Sequence, residues 1–170
     1  MPLSPAEGKL ALKKTVINSF TGAAEDDPSY VLSLASDSTE RIAAVAGSEF
    51  DLKLYDRATL SPVGSVGAPS QGGIKAHEGR INEVCFGASL PLLYSASSDG
   101  TLRAWDCSSG SATAPALTLR DRRDEVFCVS ASTGHMLAAG TQSAVLIWDT
   151  RRISKPVCRF EVHTEEVTQV

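Results

Sequence analysis

His77, Ser95 and Asp99 are the side-chain types of a hydrolytic triad: a hydroxyl nucleophile, an imidazole to take its proton and a carboxylate to hold the imidazole. Such a set also needs donors aimed at a developing oxyanion. Asp99 stands in Ser98-Asp99-Gly100-Thr101, a tight-turn sequence, and Ser95 in the strand-like run Leu92–Ala96. No segment near them is placed to form an oxyanion hole, so no catalytic residue is assigned and the chain is not expected to be an enzyme. The four cysteines, Cys85, Cys107, Cys128 and Cys158, form no CxxC pair and have no histidine at ligand spacing. No metal or cofactor is expected, and a reducing compartment, cytosolic or nuclear, suits them. Cys85 and Cys128 lie 43 residues apart in apolar stretches and read as core thiols rather than a redox pair. The run Arg120-Asp121-Arg122-Arg123-Asp124 could grip phosphate, but its interleaved aspartates cancel much of the field and favour a solvated loop.

The elements that must carry these residues come from a repeat. Three segments end in an aromatic residue followed by Asp: Tyr55-Asp56, Trp105-Asp106 and Trp148-Asp149. The aromatics are spaced by 50 and 43 residues, and His77 and His163 by 86, twice the second spacing. A period near 43 with this dipeptide is that of a four-stranded propeller blade. In the middle unit, Arg80–Phe86 and Leu92–Ala96 read as strands. Asp99-Gly100 supplies a hairpin turn, Thr101–Trp105 a third strand and Ala114–Leu119 an outer strand. No stretch sustains helical periodicity, so the class is all-β. The blades are expected at about 30–66, 77–119 and 122–162, with the first strand of a fourth beginning at 163 within a repeat region of 21–170. Residues 1–20 are expected to form a lead whose one strand, at Lys14–Ile17, would ordinarily close the ring by joining the last blade. The Gly-rich loop at 64–73 accounts for the longer first spacing.

Composition adds exclusions. The 170 residues carry a formal charge of −4, with 42% hydrophobic and 21% charged residues, which suits a globular fold with a sizeable core. The mildly acidic balance gives no pull toward nucleic acid or anionic lipid. Neither a membrane-spanning run nor an apolar leader is present in the sequence.

These residues resemble the WD-repeat β-propeller family over about residues 30–170, with the middle unit fitting best. The resemblance implies a structural tetrad of loop His, strand Ser, turn Asp and dipeptide Trp, here His77, Ser95, Asp99 and Trp105. The first unit departs, with Tyr55 for Trp and Val45 and Glu49 at the Ser and Asp positions. The third departs further, with Ala138 and Gln142 there. The family implies a non-catalytic scaffold that binds other proteins. Arg80 and Glu165, beside loop histidines, would lie near the rim where propellers take peptides. Trp148-Asp149-Thr150-Arg151 has the WDxR form of propellers that dock onto the adaptor of cullin-4 ubiquitin ligases. Arg151 would then be the docking donor, although Gln142 stands where an acidic residue is usual. Family rings close with more blades than three, so the chain is expected to be a truncated form of a longer propeller, or else to assemble with copies of itself.

Overall fold

The computed structural model describes residues 31–37, 42–47 (backbone), 50, 52–67, 75–88, 92–121, 124–161 and 164–170. The expected lead at 1–20, Val45 as a side chain, Glu49, part of the Gly-rich loop, Arg122, Arg123 and His163 lie outside them.

Among the described residues, twelve strands form three antiparallel sheets and there is no helix. The first sheet comprises β1 (Val31–Ser36), β2 (Ile42–Gly47), β3 (Leu52–Asp56) and β4 (Pro62–Val66). The second comprises β5 (Ile81–Phe86), β6 (Leu92–Ser97), β7 (Leu102–Asp106) and β8 (Leu117–Leu119). The third comprises β9 (Val126–Ala131), β10 (Met136–Thr141), β11 (Val145–Asp149) and β12 (Cys158–Phe160). Each is a meander in sequence order, the blade expected from the repeat. The outer strand of the second sheet is shorter than the sequence suggests. Pro115 has no N–H to give a ladder, and the first bond to β7 comes from Ala116 N–H to Ala104 O (2.8 Å), just before the strand begins at Leu117.

Residue chemistry explains the punctuation. Gly100 adopts φ +77° at the β6–β7 turn, a conformation that side chains disfavour. The Asp of each aromatic-Asp pair has a local task. Asp56 Oδ1 accepts from Thr59 N–H (2.7 Å), Asp106 Oδ1 from Ser108 N–H (2.9 Å) and Asp149 Oδ1 from Arg151 N–H (3.0 Å). All three are side-chain-to-backbone turns that end the third strand and swing the chain toward the outer one.

The sheets pack face to face through two apolar layers. Leu52, Leu54 and Val66 of the first sheet meet Ile81, Val84, Leu93 and Trp105 of the second. Ala96, Leu102, Ala104 and Leu119 of the second meet Val126, Val129, Leu137, Leu146 and Trp148. Polar contacts join the inner strands. Val84 N–H donates to Ser33 Oγ (3.2 Å), Asn82 Nδ2 to Val126 O (2.8 Å) and Val129 N–H to Glu83 Oε2 (2.7 Å). At the periphery Gly67 N–H bonds Ala112 O, and Gly64 lies so close to Gly110 O that a Cβ would stand 1.6 Å from it. Residues 164–170 form no strand of their own. They run past β10, held by Val167 N–H to Thr141 O (3.0 Å).

Candidate functional site

The middle blade brings together His77, Ser95, Asp99 and Trp105. Ser95 sits mid-strand on β6, opposite Arg103, and Trp105 ends β7 opposite Leu93, so both side chains point into the layer beneath the loop that carries His77. Trp105 Nε1–H donates to Ser95 Oγ (3.0 Å), which lies 2.7 Å from His77 Nε2, while His77 Nδ1 lies 2.9 Å from Asp99 Oδ2. One assignment satisfies every group. Neutral His77 carries its proton on Nδ1 and donates to Asp99, and its Nε2 accepts the Ser95 hydroxyl proton. The indole edge also faces the imidazole at 6.3 Å between centroids. Asp99 further accepts from Glu78 N–H (3.0 Å) and Thr101 N–H (2.9 Å). Arg103 reaches over the top to Ala76 O (3.0 Å) and stands 3.7 Å from Asp99 Oδ2.

The electrostatics follow from this packing. Burial holds the His77 pKa below its ordinary 6.5 against the pull of Asp99, so the ring is neutral at neutral pH. Burial would raise Asp99, but hydrogen bonds from His77, Thr101 and Glu78 outweigh it and hold the carboxyl well below the usual range. His77 and Ser95 have no exposed surface at all. A hydroxyl that solvent cannot reach and that already carries two hydrogen bonds cannot attack a substrate, so the constellation ties the blade together instead.

The other dipeptides differ. Trp148 is buried, yet its Nε1 has no hydrogen-bond partner among the described residues. Trp148 faces Leu137, so the position equivalent to Ser95 is Ala139, opposite Leu146, and not Ala138 as the sequence spacing suggests. The β10–β11 turn is one residue shorter than β6–β7, which moves the register by one. A methyl therefore stands where Trp105 finds a hydroxyl. Tyr55 is buried at the matching end of β3.

Burial raises the thiol pKa of Cys85 to about 12 and those of Cys107 and Cys128 to about 11, and Cys128 Sγ–H donates to Val167 O at 3.2 Å. These are inert core thiols. Among the described residues no group of three or more His, Cys, Asp or Glu could hold a metal ion. Asp121 and Asp124 of the basic run are held by a distant arginine. Arg159 of β12 pairs with Asp121 (2.7 Å), Asp124 (3.2 Å) and Glu161 (2.6 Å), a cluster with no local sequence signal. Arg120 Nη2 donates to Asp99 O (3.3 Å).

The residues singled out for partner contact lie apart. Arg80 is exposed and donates from Nε to Asn82 Oδ1 (2.9 Å). Glu165 lines an open cleft with Gln142, Thr164, Glu166 and Thr168. Arg151, with 66% of its side chain exposed, folds back on Asp149 through two bonds, Nε to Oδ1 (2.9 Å) and Nη2 to Oδ2 (2.7 Å). That fork holds the Asp149 carboxyl well below the ordinary range.

Four-stranded meanders stacked face to face, each ended by an aromatic-Asp turn and one stapled by a Trp-Ser-His-Asp chain, define a repeat propeller. Residues 69–106 match the family described as WD domain, G-beta repeat. The chain is similar to WD repeat-containing protein 89, on the runs Tyr30–Leu34, Val84–Phe86, Leu93–Thr101 and His163–Val170. It is 31% identical to the WD repeat-containing protein 89 homolog of Dictyostelium discoideum over 85% of this chain and 36% of that protein. It is 30% identical to WD repeat-containing protein GTS1 of Arabidopsis thaliana over 98% of this chain and 41% of that protein. The chain thus spans about two fifths of these relatives. A solved structure titled Crystal Structure of Mitotic Checkpoint Complex shares the fold at a TM-score of 0.68 and 22% identity, over 82% of this chain and 40% of that one.

Proposed function

We propose that the chain is a non-catalytic protein–protein interaction scaffold, acting as part of a longer propeller in a reducing compartment, cytosol or nucleus. The observation that carries this reading is the burial of its most reactive-looking residues. His77, Ser95 and Asp99 spend their hydrogen bonds on holding a blade, which leaves the rims and outer edges as the surfaces available for work. Relatives more than twice its length support a larger ring. Four free thiols suit the compartment. Arg80 and Glu165 are the proposed rim contacts.

A second reading has one observation in its favour. Arg151 stands exposed just beyond the end of β11, held in one direction by Asp149 and with its remaining N–H donors outward. That posture suits docking on an acidic or carbonyl-rich surface such as the cullin-4 ligase adaptor. Affinity purification of the tagged protein from its own cells, with mass spectrometry of what accompanies it, separates the two. Stoichiometric adaptor that disappears with Arg151→Ala supports the second reading. A different defined assembly, indifferent to Arg151→Ala, supports the first. Turnover of ester or amide substrates that is lost in Ser95→Ala would overturn both.

A further inference from the structure

The turn between β11 and β12 carries a second signal in the same residues. Arg151-Arg152-Ile153-Ser154 places two adjacent guanidinium groups three and two residues before a hydroxyl. All five residues from Arg151 to Lys155 are exposed, and the Ser154 hydroxyl makes no hydrogen bond among the described residues. The backbone of the turn is anchored at its base, by Arg151 N–H to Asp149 Oδ1 (3.0 Å), Arg152 N–H to Asp149 O (2.7 Å) and Val157 N–H to Ile147 O (2.7 Å). Between those anchors Ile153 and Ser154 are exposed, which leaves the hydroxyl open to an approaching kinase cleft. The other adjacent arginine pair, Arg122-Arg123, is followed by Asp124 and Glu125 and offers no hydroxyl.

We propose that Ser154 is the phosphoacceptor for a basophilic serine/threonine protein kinase, and that its phosphate then draws the Arg151 guanidinium away from Asp149. Kinases of this class select substrates by matching acidic pockets to arginines before the hydroxyl. In the transfer, Ser154 Oγ attacks the γ-phosphorus of ATP and the bond to the β–γ bridging oxygen breaks. ADP leaves, and the hydroxyl proton passes to the kinase's catalytic carboxylate. The product carries close to two negative charges and three acceptor oxygens, set among Arg151, Arg152 and Lys155. Asp149 is buried and offers Arg151 one charge, whereas the phosphate offers close to two beside the exposed guanidinium, so the phosphate is the stronger competitor. The site stands whether or not Arg151 docks a partner.

The test incubates the full chain with magnesium ATP and the catalytic subunit of the cyclic-AMP-dependent kinase, then maps phosphate by tandem mass spectrometry. Incorporation on Ser154 is expected, lost in Ser154→Ala. It is slowed about tenfold or more in Arg152→Ala, the worth of one charge-assisted hydrogen bond. No phosphate on Ser154, or the same rate in Arg152→Ala, overturns the site. On the phosphorylated chain, a carboxyl-carbon NMR titration of Asp149 is expected to move up toward the ordinary carboxylate range. An unmoved titration overturns the exchange of partners.

Discussion

Two tryptophans at equivalent strand ends meet different fates, and one atom separates them. Trp105 donates to Ser95 Oγ, whereas Ala139 stands at the equivalent register position in the third sheet and the Trp148 indole N–H has no partner among the described residues. Replacing His77 by Ala strips acceptors and donors from buried Ser95 and Asp99 at once. The expected loss is about 1–3 kcal/mol for each group left unsatisfied, read from urea melts. The same network makes stability depend on pH with a definite sign. His77 has a folded pKa below 6.5, so the unfolded chain takes up its proton first and stability falls as pH drops through 6.5. Asp99 is also depressed, so its contribution is complete above 3.8 and is lost as pH falls below that. Melts of the His77→Ala variant should lack the upper step; an identical pH profile in both proteins would detach the step from this residue. The converse change, Ala139→Ser, gives Trp148 an acceptor. It should add up to about 1 kcal/mol and slow exchange of that indole proton, and unchanged indole exchange would show that the hydroxyl turns elsewhere.

At the scale of strands and turns, close approaches govern what a position tolerates. Gly140 ends β10 where the chain near Val167 crosses it, and a Cβ there would lie 2.3 Å from Val167 O and 2.5 Å from Cys128 Sγ. Gly140→Ala must therefore push the crossing segment off β10. The expected readouts are faster amide exchange at Val167 and a more reactive Cys128 toward a thiol reagent; protection at Val167 equal to the parent would contradict the crossing. The blades themselves were legible in the sequence because their signals are local. Aromatic-Asp at a steady spacing and Asp-Gly in the hairpin mark strand ends through turn chemistry that works within three residues. The Trp105 network was legible through the family resemblance. The shift from Ala138 to Ala139 was not, since one residue missing from a turn leaves the Trp spacing at 43 and changes only the pairing. Nor was the Arg159 cluster, whose partners Asp121 and Asp124 lie more than thirty residues upstream and meet it only once β12 is in place.

Across the whole molecule, neither apolar layer belongs to one sheet. Leu54 of the first sheet has no exposed surface because Ile81, Leu93 and Trp105 of the second cover its layer, and Tyr94 and Leu102 are buried against the third. Inner-strand ties such as Asn82 to Val126 O and Glu83 to Val129 N–H cross the same boundaries, so one sheet cannot loosen without exposing its neighbour's face. This predicts a non-local response to a local cavity. Leu54→Ala should cost about 2–5 kcal/mol, the usual range for a fully buried leucine. Its effect on hydrogen exchange should reach β5–β7 as well as β3, because Trp105 loses packing on the face that Leu54 filled. Blade-by-blade independence makes the opposite forecast, with protection lost in β2–β4 and kept in β5–β7. The extent of the disturbance beyond β5 then measures how strongly consecutive blades fold as one unit. That coupling decides whether a partner gripping one rim is felt across the next interface.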